Sequence, residues 1–368
     1  MINFPMSVMQ FATTEENKQV YKMFYDYWKH FCSAKRGKTN MSFDNTISFD
    51  EKESKMNAAL KREILRVAGV ANFEQFSLEQ WSTNPSVVWA TYAIVSAMID
   101  MILPETIIDS IGAYTDVKTI GIGDSASFEI KPRDLFVVSK AGRGQRTAQL
   151  QRHFDGMVTI VPEMREISVM VSLYRVLAGR DSLADFAAKA VQSLETAVAI
   201  DAYSTFATAM AALPTTPSGG ELKATGYSQE TLVQFCQRVT AWNGGNKAVV
   251  LGTQLAMQNV LPDNNNYRYA LDSEYVKMGY IKNFFGYDGI VLPQVVDLAT
   301  EFKLKLDDTK LWIVSPSANK LVKMVLEGST LANTTQPYQN ANLTQSTTIW
   351  KSWGVGVATN AVAATIAI

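Results

Sequence analysis

Proton transfer near neutral pH usually falls to histidine, and this sequence has two, His30 and His153. His30 sits in an aromatic run with Tyr27, Trp28 and Phe31, and His153 follows Arg152, so both are read as structural or surface residues. Zinc would need cysteine and histidine at short, regular spacings, which are absent; Cys32 and Cys236 lie far apart and read as free thiols. Asp263, Asn265 and Glu274 resemble fragments of a calcium loop, but Arg268 occupies the position where the sharp turn requires glycine and Tyr267 stands where an oxygen donor belongs. Gly121-Ile122-Gly123-Asp124 and Leu251-Gly252-Thr253 lack the remaining glycines or the lysine of phosphate-cradling loops and read as turns. No Gly-x-Ser-x-Gly elbow occurs, and no carboxylate pair stands out as general acid and base. The residue types point away from catalysis and from any bound cofactor.

One charge concentration remains. Lys131, Arg133, Lys140, Arg143, Arg146 and Arg152 share a stretch in which Asp134 is the only intervening acid. Three readings are open: a hairpin kept soluble by its charges, an arm that docks on acidic patches of another subunit, and a nucleic-acid contact. The last is least favoured, because aromatic residues for base stacking are sparse there.

The elements that carry this cluster are legible from periodicity. Ala126, Phe128 and Ile130 alternate with polar residues as one half-buried strand, and Ile167, Val169, Val171 and Leu173 alternate as a returning strand. Lys140-Ala141-Gly142-Arg143-Gly144 is a glycine-punctuated turn region between them. Asp181 or Ser182 caps the next helix, whose stripe of Leu183, Ala187, Ala190, Val191, Leu194 and Val198 continues without glycine or proline to Pro214. Asp185 and Lys189 make an acid-before-base pair one turn apart. At 1.5 Å per residue this helix is a rod of roughly 45–50 Å. A ribbon projecting from such a rod has little core of its own to bury.

Elsewhere, a helix is expected near Glu15–Phe31, then an extended arm through Ser42–Phe49, and a helix at Asn57–Val67. Pro85 suits the first turn of a helix over Ser86–Leu103, which Pro104 should stop. After a break at Pro214–Gly220 come a helix capped by Ser228, a strand at Ala248–Leu251, and a short helix ended by Pro262. Strands are expected around Gly289–Leu292 and Leu311–Val314, with a terminal strand or strand pair in Trp350–Ile368.

Composition supports a packed core: 47% of the 368 residues are hydrophobic and 19% charged. A net charge of -1 gives no global attraction to nucleic acid or to an anionic membrane. The N-terminus lacks the features of a secretory leader, so a reducing cytoplasm is expected, and the sequons at Asn40, Asn333 and Asn342 are read as chance matches. Val87–Leu103 is apolar, but Asp100 interrupts it, and a buried helix is expected rather than a membrane span.

The order of parts resembles the major capsid proteins of tailed bacteriophages, a fold shared with herpesvirus capsid floors and encapsulins. The local text that carries the resemblance is Ala248-Val249-Val250-Leu251-Gly252 leading into a helix. It is followed by Gly279-Tyr280-Ile281 and Phe285-Gly286-Tyr287-Asp288-Gly289-Ile290-Val291. The resemblance implies an α+β fold with an N-terminal arm over 1–85 and an extended β-ribbon loop over 124–163. A peripheral domain would comprise 86–123, 164–224 and 315–368, with a spine helix at 181–213, and an axial α/β domain would span 225–314. It further implies hexamers and pentamers of this chain closing into an icosahedral shell around double-stranded DNA that is not read by sequence. Scaffold, portal and decoration proteins would be further partners, and the location would be the virion capsid, assembled in the host cytoplasm. Lys131, Arg133, Lys140, Arg143, Arg146 and Arg152 would touch a neighbouring subunit. Asp263, Asn264, Asn265, Asn266 and Arg268 would form a loop at the capsomer centre. Many relatives lose an N-terminal scaffolding segment, and Met1 at the head of this sequence argues against such removal. Lys140 could supply a cross-linking amine, but nothing in the sequence selects a partner asparagine, so no cross-link is expected. An encapsulin-like compartment shell is the near alternative, and an α/β ligand-binding protein or enzyme built on 225–314 the more distant one.

Overall fold

The computed structural model describes residues 15–36, 42–69, 84–111, 115–130, 156–172, 180–212, 222–263, 275, 278–296, 303–315, 320, 322–328, 330–334, 344–357 and 362–368. Helices α1 (Glu15–Arg36), α2 (Phe49–Val67) and α3 (Pro85–Ile111) precede strands β1 (Thr115–Ile120), β2 (Ala126–Ile130), β3 (Gly156–Ile160) and β4 (Glu163–Ser172). The long helix α4 (Leu183–Ala211) leads to β5 (Lys223–Thr225), α5 (Gln229–Trp242), β6 (Val249–Gly252), α6 (Gln254–Gln258), β7 (Asn283–Phe284) and β8 (Tyr287–Val291). Strands β9 (Lys310–Val314), β10 (Val322–Glu327), β11 (Leu331–Thr334), β12 (Thr344–Val357) and β13 (Ala364–Ala367) complete the chain.

Helix α4 is the common support. Ser182 caps it, its hydroxyl accepting from the Asp185 N–H at 3.1 Å. Asn57 on α2 takes a second free donor of that first turn, its side-chain oxygen accepting from the Ala184 N–H at 3.1 Å. The anticipated Asp185–Lys189 pair closes at 2.7 Å. Along the helix, Ala187, Ala188, Val191, Leu194, Val198, Ala202 and Phe206 are buried, and the small residues let neighbouring elements approach its backbone closely.

Two sheets meet this helix. The first has the order β1-β10-β12-β11, with β4 also pairing β12. Its inner face contributes Val322, Met324, Leu326, Ile349 and Trp353 to the core that holds α3 and α4. The second sheet runs β5-β13-β9-β6-β8-β7. Alternation divides its side chains: Val249, Leu251, Trp312 and Val314 join the α4 core, while Val250, Leu311 and Ile313 pack with Phe235 and Val239 of α5. Trp312 presents its ring edgewise to Tyr203 and Phe206 of α4, with centroids 5.8 and 5.7 Å apart. At the far edge, Phe285 and Gly286, both at positive φ, make the two-residue turn between β7 and β8.

Several expectations are corrected. Pro104 does not stop α3, which continues to Ile111. The ring removes one helical donor, but Leu103, Thr106 and Ile107 around it are fully buried, and that packing keeps the turn in register. Residues 49–56 are helical rather than extended, because Ser48 caps α2 and Lys52 and Met56 are buried. Phe24, Tyr27, Trp28 and Phe31 of α1 lie in the same core as α4. The strand paired with β2 is Gly156–Ile160; the returning strand expected at 167–173 is instead β4, paired antiparallel with β12 over Glu163–Trp353 to Ser172–Thr344. The C-terminal strands separate: β13, grouped by the expected division with 315–368, pairs with β9 and β5 in the second sheet.

Candidate assembly surfaces

Strand β12 organises the first sheet. One of its edges pairs with β10 over Trp353–Val357 and with β11 over Thr347–Trp350; the other pairs with β4 over Thr344–Trp353. Thr347, Ile349, Lys351 and Trp353 point inward and are buried. Below Trp353, the Asp201 carboxylate of α4 accepts from the indole N–H at 3.0 Å and lies 3.4 Å from the Arg165 guanidinium. These contacts fix β4 and β12 to the helix.

The outer face is divided in two. Over β10 and the C-terminal half of β12 lies the β2–β3 ribbon, whose Ala126, Phe128 and Ile160 pack on Val325. The approach is close enough to require glycine. A Cβ at Gly354 would sit 2.6 Å from the Val161 carbonyl oxygen, and one at Gly356 would sit 3.0 Å from Ile160. Lys118 lies over the Phe128 ring at 4.3 Å, and Lys323 beside it reaches Asp116 at 3.1 Å. The ribbon therefore begins as a packed element, which the sequence, taken as a strand pair without a core, did not anticipate.

The other half of the outer face is open. Its residues are Met164, Glu166, Ser168 and Met170 of β4, Thr348 and Trp350 of β12, and Leu331 of β11. Met164 is 64% exposed, Met170 67% and Leu331 49%. The Glu166 carboxylate accepts from the Trp350 indole N–H at 3.1 Å, which holds the ring flat across the strands. Sequence reasoning missed this surface. The alternation in 163–172 was its only signal, and alternation tells which side chains face away from the core but not whether anything covers them.

The other candidates resolve as structure. Lys131, Arg133, Lys140, Arg143, Arg146, Arg152 and His153 lie outside the described residues, as do Asn264, Asn265, Asn266 and Arg268. Asp263 exchanges two hydrogen bonds with Gln229, the first residue of α5: its N–H donates to the Gln229 amide oxygen at 3.0 Å, and its carboxylate accepts from the Gln229 N–H at 3.3 Å. That anchors one end of the 263–268 segment. His30 stacks on Phe43 at 4.4 Å; burial and the nearby Lys52 ammonium hold its pKa below the usual histidine value, against an opposing pull from Asp26. Cys32 and Cys236 are free and buried, and burial pushes the Cys236 thiol up to about 12, far from a reactive thiolate. Gly252 is a packing glycine, its would-be Cβ 2.9 Å from Leu311, and Thr253 caps α6. Among the described residues, no group of three or more His, Cys, Asp or Glu side chains could hold a metal ion.

What these surfaces offer is contact: a ribbon seated on one half of a sheet, an uncovered half beside it, and a rigid helix beneath. Residues 32–367 match the family described as "SPbeta prophage-derived putative capsid protein YonB", and the chain belongs to that family. Membership places it among capsid proteins, a structural class rather than a catalytic one. Among solved structures, the mature capsid of bacteriophage PhiM1 aligns at 10% identity and TM-score 0.46, covering 69% of this chain and 85% of that one. The capsid of cyanophage P-SCSP1u aligns at 13% and 0.42, covering 69% and 86%, and the virus-like particle of Pyrococcus furiosus at 11% and 0.39, covering 72% and 95%. No curated protein matches the chain.

Proposed function

We propose that this chain is the major capsid protein of a tailed-phage-like particle. Copies assemble through hexamers and pentamers into an icosahedral shell that encloses double-stranded DNA without reading its sequence. The observation that carries this reading is membership of a capsid-protein family along residues 32–367. The near-neutral charge fits a shell filled after assembly, since a shell that condenses nucleic acid as it forms needs basic tails to neutralise phosphates. In this reading residues 124–163 reach over a neighbouring subunit, residues 225–314 face the capsomer centre through the Asp263–Arg268 segment, and α4 is the spine between them. Scaffold, portal and decoration proteins are the further partners, and the mature location is the virion, after assembly in the host cytoplasm.

Sedimentation velocity on the purified protein tests the proposal. The expected result is a discrete fast-sedimenting species in at least one condition of salt and pH. Reversing Arg143 and Arg146 to Glu should abolish that species and leave the monomer folded by circular dichroism, since residues at a loop tip contribute little to the core. Unchanged assembly of that double variant would refute the docking role of the basic segment.

A further inference from the structure

On one outer sheet face, the chain covers half with its own ribbon and leaves the other half bare. The covered half shows what the surface accepts: apolar side chains, Phe128 and Ile160, laid on Val325 and on the glycines Gly354 and Gly356. The bare half carries Met164 and Met170, 64% and 67% exposed, with Leu331 and Trp350. Exposed apolar residues in a contiguous strip on an edge strand and its neighbour favour association. Glu166 is the only charged side chain on this bare half, so the strip is apolar with a single negative charge.

The segment between β2 and β3, residues 131–155, has the complementary composition. It holds six cationic residues, Lys131, Arg133, Lys140, Arg143, Arg146 and Arg152, against Asp134 and Asp155, together with Leu135, Phe136, Val137, Val138, Leu150 and Phe154. It is 25 residues long and leaves the sheet at the distal end of the ribbon, Ile130 and Gly156.

We propose that the bare half-face, centred on Met164, Glu166, Met170 and Trp350, receives the 131–155 segment of a second copy of this chain. This rests on the self-assembly reading and names the surface that reading requires. The contact is heterologous, a basic apolar segment on one copy and an acidic apolar sheet face on the next, and repetition of such a contact closes rings. Glu166 supplies the charge that draws a guanidinium, and the methionines supply adaptable apolar area.

The test places the photo-reactive residue p-benzoylphenylalanine at position 170 of the full chain, in a mixture of isotopically heavy and light copies, with cross-linked peptides mapped by mass spectrometry. The expected result is heavy–light cross-links between position 170 and peptides from 131–155. Particles that form while cross-links from 170 run to another region, or join only peptides of one isotope, overturn the inference and leave the capsid reading standing. A chain that stays monomeric in every condition overturns both. A charge swap covers the case in which the bulky residue itself blocks assembly. Glu166→Arg alone and Arg143→Glu with Arg146→Glu alone should each lose particles, and the three changes together should restore them. Failure of that restoration, with both parents folded, overturns the pairing.

Discussion

The Lys351 ammonium lies 2.7 Å from the Asp100 carboxylate, and both side chains are all but sealed from solvent at 3% and 2% exposure. Asp100 also accepts from the Thr330 backbone N–H and hydroxyl, and Lys351 donates to the Gly328 carbonyl at 3.2 Å. The residue that interrupts an otherwise membrane-like apolar run is thus the point at which α3 is tied to β12 and to the start of β11. Removing one member leaves a buried charge without its partner, at a cost of about 3–5 kcal/mol. Lys351→Met should lower the unfolding free energy by that amount in chemical denaturation, and Asp100→Asn combined with Lys351→Met should recover most of it.

Gly354 is where the ribbon comes closest to the sheet. A Cβ there would meet the Val161 carbonyl oxygen at 2.6 Å and Ile160 at 2.9 Å. Gly354→Val should therefore lift β3 off β12, costing about 1–3 kcal/mol as overpacking does. Limited proteolysis should show faster cleavage near Val161, with little change in far-ultraviolet circular dichroism.

The N-terminus of α4 depends on two side chains from different elements. Asn57 and Ser182 bond each other at 2.8 Å and together satisfy the Ala184 and Asp185 donors. Asn57→Ala and Ser182→Ala should each cost about 1 kcal/mol, as lost caps do. Because each residue orients the other, the double variant should cost less than the sum of the two. A double-mutant cycle by denaturant titration measures the difference.

His30 makes the α1–α2 connection sensitive to acid. Burial and the Lys52 ammonium keep its folded pKa below the unfolded value of about 6.5. The folded state therefore binds this proton less readily than the unfolded one, and the associated stability is present above about pH 6.5 and lost as pH falls through the lower folded value. Between pH 7.5 and 5 the thermal midpoint of the native chain should fall more than that of His30→Gln. Equal pH slopes would show that this residue does not contribute.

Local chemistry was legible in the sequence and long-range pairing was not. Ser182, Ser228 and the Asp185–Lys189 pair act as their positions imply, because caps and i,i+4 pairs depend on a few adjacent residues. The partner of β4 was not legible. Its alternation fits any neighbour, and the strand it joins lies some 180 residues later, as in the Ser168–Thr348 hydroxyl contact. Pro104 misled for a related reason: a local helix breaker yields when the turns on either side are buried. The bare half of the first sheet was hidden because exposure is a property of the assembled fold, whereas the basic segment that we place against it was visible as composition alone.

The central claim is that this chain builds closed shells from its own copies, and electron microscopy of the purified, full-length protein tests it most directly. The account predicts closed particles of uniform diameter made of hexameric and pentameric units, lost in the Arg143→Glu, Arg146→Glu variant. A population that remains monomeric across salt and pH, while folded and carrying its ribbon intact, would contradict it.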